Sequence, residues 1–169
     1  IGHKFLYPGI GFGGSCFPKD VSALVKSGIE ANYNFAIIQS VLDVNEKQKV
    51  VLVEKLINYF GDVSGMQFAL WGLAFKPDTD DIREASALYI IEALLSAGAT
   101  IVAHDPEAME NVREVVGDDI KFVDDQYEAL KNSDALLIAT EWSAFRNPDF
   151  KKMASFLKQP VIFDGRNIY

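Results

Sequence analysis

Hydrophobic and polar positions change their period along the chain. From about Phe35 to Phe60 apolar residues recur near a helical period, at Ile37, Ile38, Val41, Leu42, Val44, Val51, Leu52, Leu56 and Ile57, which predicts one long helix stopped by Gly61-Asp62. A helix that outlasts the average of about three turns either bridges domains or subunits or is a core helix of one domain, and the pattern leaves both open. From Gln67 onward, short apolar runs alternate with amphipathic stretches. Strands are predicted at Phe68–Trp71, Thr100–Ala103, Ile120–Val123, Ala135–Ala139 and Val161–Phe163. Helices are predicted over Glu84–Ala97 (stopped by Gly98), Glu107–Val116, Gln126–Lys131 and Asp149–Leu157. Strands that alternate with helices pair in parallel through right-handed crossovers, so the class is α/β: a helical segment with a long connecting helix, then a doubly wound, mostly parallel sheet. The division expected is 1–62 and 63–169.

Before the long helix the pattern is replaced by glycine. In Pro8-Gly9-Ile10-Gly11-Phe12-Gly13-Gly14-Ser15-Cys16-Phe17-Pro18-Lys19-Asp20, four glycines precede the only cysteine of the chain. Glycines lacking Cβ let backbone N–H groups approach a ligand. Pro18 suits the first position of a short helix ending near Ser27-Gly28, which places Cys16 just ahead of a helix N-terminus, where the dipole and unpaired N–H groups favour a thiolate. A lone cysteine is more often a buried small hydrophobe. A core thiol needs no run of glycines, and the glycines favour the nucleophile. The surround Gly14-Ser15-Cys16-Phe17 also looks a little like that of papain-type cysteines, but Gly13 stands where that type has another cysteine, and His104 is misplaced for its histidine.

Ligands of doubly wound sheets bind beyond the strand C-termini, at the switch point. After the first strand, Gly72-Leu73-Ala74-Phe75-Lys76-Pro77-Asp78-Thr79-Asp80-Asp81-Ile82-Arg83 lacks the second and third glycines of G-x-G-x-x-G and offers cations instead, Lys76 as a point charge for phosphate and Arg83 near the next helix. A surface salt bridge from Arg83 to Asp80 or Glu84 is the simpler alternative. Asp105-Pro106 looks like a ribose-binding acid, although helix capping explains it as well. Arg166 in Asp164-Gly165-Arg166-Asn167 stands at the same rim, and Lys76 and Arg166 on adjacent strand ends would make a diphosphate clamp. Trp71 reads as core, Trp142 as core or rim, and His104 as structural; His3, near one end, is assigned no role. No Cys or His pair has metal-ligand spacing.

Composition narrows the partners. With 169 residues, 49% of them hydrophobic, the chain can bury a core. A formal charge of −8 argues against a nucleic-acid backbone as partner but leaves room for a nucleotide, which one or two placed cations can hold. No apolar run is long enough to span a bilayer. A single cysteine makes no internal disulfide, and a reducing cytoplasm fits best. The chain opens on Ile1-Gly2-His3-Lys4 without Met or a signal-peptide pattern, and is expected to be a fragment of a longer protein.

The stretches Gly11–Asp20, Phe75–Glu84 and Phe163-Asp164-Gly165-Arg166 together resemble the UDP-glucose 6-dehydrogenase branch of the nucleotide-sugar dehydrogenases. The resemblance covers the whole chain, and the surrounds of Phe12 and Phe17 are closer to the UDP-glucose members than to those acting on GDP-mannose or N-acetylmannosamine sugars. It implies a Rossmann-like UDP-binding domain over 63–169 and four-electron oxidation of UDP-glucose to UDP-glucuronate with two NAD. Cys16 would form the thiohemiacetal and thioester, and Asp20 would order or deprotonate the hydrolytic water. Substrate contacts carry over to Tyr7, Pro8, Gly9, Ile10, Gly11, Phe12, Gly13, Phe75, Lys76 and Arg166. Some members have lysine at the Tyr7 position. Cofactor contacts carry over to Cys16, Phe17, Pro18, Lys19 and Arg83, with NAD held mainly by an N-terminal domain outside this sequence, so that the chain alone is expected to be inactive. A homodimer or higher homo-oligomer through the long helix is also implied. The alternative is a non-catalytic nucleotide-binding or dimerisation module.

Overall fold

The computed structural model describes Gly2 and residues 6–169; His3 lies outside the described residues. Helix α1 spans Cys16–Glu30. It starts two residues before Pro18, so Cys16 is the first helical residue rather than the residue ahead of the helix. It also runs past Gly28. That glycine is buried against the next segment, where a Cβ would lie 2.8 Å from Tyr33 O and 2.9 Å from Phe35 Cε2. The stop falls to Asn32 at φ 54°, with Tyr33 N–H donating to Gly28 O at 2.8 Å and Asn32 N–H to Ile29 O at 3.0 Å. This is a Schellman ending in which asparagine takes the left-handed position usual for glycine.

Helix α2 spans Ala36–Phe60 and ends at Gly61, φ 78°, as the periodicity predicts. Its buried stripe is Asn45, Lys49, Leu52, Val53 and Leu56. The apolar C-terminal members of that stripe join the core of the sheet domain, each contributing about 1.5–3 kcal/mol by burial.

The sheet comprises β1 (Gln67–Trp71), β2 (Thr100–His104), β3 (Lys121–Phe122), β4 (Ala135–Ile138) and β5 (Ile162–Asp164), ordered β3-β2-β1-β4-β5. Every pairing is parallel, for example Trp71 with His104 and Trp71 with Ile138. The chain winds outward from β1 to β3 and returns through β4 and β5, a Rossmann-like doubly wound sheet whose switch point lies between β1 and β4. The crossovers are α3 (Ser86–Ser96), α4 (Met109–Val116), α5 (Gln126–Leu130) and α6 (Phe150–Phe156), with a 3₁₀ turn at Ser143–Phe145 that periodicity did not predict. Helices α3 and α4 begin later than expected for local reasons. Glu84 has φ 54° and cannot be helical. The Asp105 carboxylate takes the N–H groups of Glu107 and Ala108 into a turn before α4. Asp125 and Asp149 cap α5 and α6 through their side chains. Trp71 and Trp142 are both buried, Trp142 donating its indole N–H to Asp105.

Candidate active site

The glycine loop is a strap held from two sides. On the α2 side, Asn45 forms a two-way clip on Phe12: the Phe12 N–H donates to Asn45 Oδ1 at 2.8 Å, and Asn45 Nδ2 donates to Phe12 O at 3.1 Å. One turn on, Gln48 Nε2 donates to Gly9 O at 2.8 Å. On the sheet side, Ser86 Oγ donates to Ile10 O at 2.6 Å and Gly14 N–H to Arg83 O at 2.7 Å. Asn167 Nδ2 reaches Pro8 O at 3.3 Å. The approach is tight at Gly13, where a Cβ would lie 2.7 Å from the Glu84 carbonyl carbon and closer to its oxygen. Gly14, at φ 86°, lies under the Phe75 ring. Glycine is needed here for close contact with the next segment as well as for conformational freedom.

The strap delivers Cys16 to the surface. Its thiol is free and exposed at the first position of α1, which removes the buried-hydrophobe reading. Asp20 lies one turn on along the same helix face and is exposed. Phe12 and Phe17 bracket the thiol in sequence and meet edge-to-face at 4.6 Å between centroids. Pro18, Lys19, Arg83, Asn45, Lys49 and Glu84 help line a cleft of about 700 Å³ beside it. Arg83 is paired with Asp81, at 2.6 Å from Nη2 to Oδ2 and 2.9 Å from Nε to Oδ1, and not with Asp80 or Glu84 as the sequence alternative had it. The guanidinium holds the Asp81 carboxyl below its usual range. Reciprocally, Asp81 favours the charged guanidinium, and Arg83 lines the same cleft as Ser15, Pro18 and Lys19, the residues that flank Cys16 in sequence.

The expected phosphate clamp is rearranged. Lys76 and Arg166 are not on adjacent strand ends, because β4 lies between β1 and β5. Lys76 is exposed, its ammonium 5.4 Å over the Phe75 ring. Arg166 instead shares a second cavity, of about 330 Å³, with Tyr7, Pro8, Arg146 and Glu141. Its Nη2 donates to Glu141 Oε1 at 2.8 Å, while Nε and Oε2 approach to 2.7 Å as an ion pair without hydrogen-bond alignment. The guanidinium lies against Gly9, where a Cβ would come within 2.9 Å of Cζ. Ile10, among the expected contacts, buries its side chain in the core. Asp105 is fully buried and caps the turn before α4.

Sequence reasoning missed Asn45, Gln48, Lys49, Glu84, Ser86 and Glu141. A signal was present for the first three: they fall on the helical repeat of Leu52 and Leu56, where the pattern calls for apolar residues. A polar residue on a buried stripe marks a partner to be satisfied. Among the described residues, no group of three or more His, Cys, Asp or Glu is assembled that could hold a metal ion, and no helix is long and apolar enough to cross a membrane.

Comparison with known proteins places these features in a common frame. The model of the UDP-glucose/GDP-mannose dehydrogenase family, UDP binding domain, matches residues 69–169, and that of the family's central domain matches residues 1–47. UDP-glucose 6-dehydrogenase TuaD of Bacillus subtilis is 46% identical over 169 residues, 100% of this chain and 37% of its own length. The UDP-glucose 6-dehydrogenase of Pseudomonas aeruginosa is 45% identical over 100% of this chain and 39% of its own. Among solved structures, a UDP-glucose dehydrogenase from Pyrobaculum islandicum superposes with a TM-score of 0.89 at 38% identity, covering 99% of this chain and 37% of that one. The chain therefore spans less than two fifths of the length of these relatives.

Proposed function

Because the chain belongs to the UDP-glucose/GDP-mannose dehydrogenase family, we propose that it is the cysteine-bearing central segment and C-terminal nucleotide-binding domain of an NAD-dependent UDP-glucose 6-dehydrogenase. The observation that carries this is Cys16: an exposed thiol at the first position of a helix, on a strap pinned by α2 and by the sheet domain, where the Arg83 carbonyl holds Gly14 N–H. In this reading residues 1–62 carry the cysteine strap and connecting helices, and residues 63–169 the UDP-binding domain.

Each residue then has a task set by its chemistry. The strap from Tyr7 to Gly13, with Phe75, Lys76 and Arg166, holds UDP and the sugar. Cys16 Sγ adds to the C6 aldehyde, and the resulting thiohemiacetal is carried to a thioester. Asp20, one turn on, orients and deprotonates the water that releases the carboxylate. Residues 16–19 and Arg83 meet the cofactor; the exposed cations Lys19 and Arg83 and the α1 N-terminus suit an anionic dinucleotide. NAD, when bound, supplies the hydride acceptor. Its main pocket belongs to a further domain of the longer protein. Exposed Ile37, Val41 and Val44 on α2 and Leu24 and Ile29 on α1 offer an apolar face for a homodimer. A reducing cytoplasm keeps the thiol free.

The test uses UDP-glucose and NAD with the longer protein and with this chain alone. The longer protein forms UDP-glucuronate, and its Cys16→Ser variant stalls after the aldehyde stage. The chain alone yields no NADH. Undiminished glucuronate formation by Cys16→Ser would remove the thiol from the mechanism.

A further inference from the structure

Lys49 is the most unusual member of the buried stripe of α2. Its side chain is 1% exposed, yet it carries a full charge. Burial alone would push such an amine toward neutrality, but hydrogen bonds to Glu46 and Glu84 and the nearby Tyr89 outweigh this and hold it protonated. Nζ lies 2.8 Å from Glu46 Oε1, 2.7 Å from Glu84 Oε2 and 4.0 Å over the Tyr89 ring, while Tyr89 Oη donates to the same Glu84 oxygen at 2.8 Å.

What this ammonium grips matters more than its own satisfaction. Glu84 is a non-glycine residue in the left-handed region, φ 54°, a conformation that persists only where its surroundings enforce it. The Glu84 carbonyl abuts Gly13, and the preceding carbonyl, of Arg83, accepts from Gly14 N–H. The Lys49 stem reaches the strap as well: a Cβ on Gly11 would lie 3.3 Å from Lys49 Cγ. One side chain thus touches both the cysteine strap and the turn that carries Arg83.

We propose that Lys49 is a positioning residue, which by holding Glu84 fixes the 81–84 turn against the cysteine strap and so presents the Arg83 guanidinium to Cys16. Asp81 aligns the guanidinium within the turn, and Lys49 aligns the turn with the thiol. The inference rests on the proposed reading only in taking Cys16 as the reacting group.

The test reads the thiol directly, in this chain, without substrate or cofactor. Cys16 is the only cysteine, so alkylation by iodoacetamide, a neutral reagent, at one fixed near-neutral pH reports on it alone. Arg83→Ala is expected to slow alkylation about two- to fivefold, the scale of one exposed charge beside another. Lys49→Met slows it comparably, and Arg83→Ala added to Lys49→Met slows it no further; Lys49→Arg restores the rate. If Lys49→Met does not fold, Glu84→Gln, which leaves Lys49 paired with Glu46, carries the same expectation of lost rate and non-additivity. An Arg83→Ala effect that persists in full in either background, or a wild-type rate in both, overturns the proposal. Failure of the dehydrogenase reading would appear separately, as no NADH from the longer protein whatever the alkylation pattern.

Discussion

Replacing Asp105 with asparagine should unfold the sheet domain at far lower denaturant, because this carboxylate joins three loops at the switch point. Oδ1 accepts from the N–H groups of Glu107 at 2.9 Å and Ala108 at 2.8 Å. Oδ2 accepts from Leu73 N at 2.6 Å, Ala74 N at 3.2 Å and Trp142 Nε1 at 3.0 Å. Both oxygens face donors, and the residue is 0% exposed. An asparagine must turn its NH₂ toward one set. The better orientation keeps its oxygen on Leu73, Ala74 and Trp142 and leaves the N–H groups of Glu107 and Ala108 facing a donor. The buried Ala108 donor left unpaired costs about 1–3 kcal/mol, the part-buried Glu107 donor less, and the three bonds kept lose their charge assistance. The sum, about 3–6 kcal/mol, is a large part of the roughly 5–15 kcal/mol that holds a domain together. Urea unfolding followed by tryptophan fluorescence measures it, since Trp71 and Trp142 are both buried. If the variant unfolds within about 1 kcal/mol of the parent but loses nucleotide affinity, the side chain is a ligand contact and the capping argument is wrong.

Two further outcomes test the strap and its anchors. Gly13→Ala forces a Cβ into the Glu84 carbonyl and should destabilise the chain by about 1–3 kcal/mol through overpacking; an unchanged melting temperature would mean that the strap is free to lift. The anchors also set an acid limit. Lys49 first, then Tyr89, holds the Glu84 carboxyl below its ordinary 4.5, so its contribution is present above that pH and is lost as pH falls through the lower folded value. Asp81, lowered from 3.8 by Arg83, behaves in the same sense. Lys49, raised from 10.5, contributes throughout this range and weakens only as pH rises past its folded value. Urea midpoints should therefore fall as pH drops below about 4.5, and less steeply in Lys49→Met, where Glu84 has lost its main partner. An equally steep decline in that variant would show that the ion pair is not coupled to folding.

Legibility in the sequence followed the range of the interactions. The long helix ended at Gly61 as periodicity predicts, and each of the five strands appeared near its expected place. Errors cluster where a tertiary contact overrides a local signal. Gly28 reads as a helix stop, but the ring of Phe35 packs on it and the stop moves to Asn32. Glu84 reads as helix, but it is left-handed, with its carboxylate on Lys49 and its carbonyl against Gly13 of the strap. Lys76 and Arg166 read as neighbours because both follow strands, yet strand order in space separates them.

For the site, the sequence by itself determined the chemistry that is local: one cysteine after a glycine run and before a helix start, cations after strands, and a family-specific set of motifs. Backbone propensity and residue type act over a few positions and leave their mark in the string. Only the tertiary structure decided who holds whom. Asn45 and Gln48 on α2 pin the strap, Glu141 takes Arg166, and Lys49 grips Glu84 across 35 residues of chain. Those bonds form because a polar group buried by packing must find a partner wherever the fold brings one, and that partner lies far away in sequence.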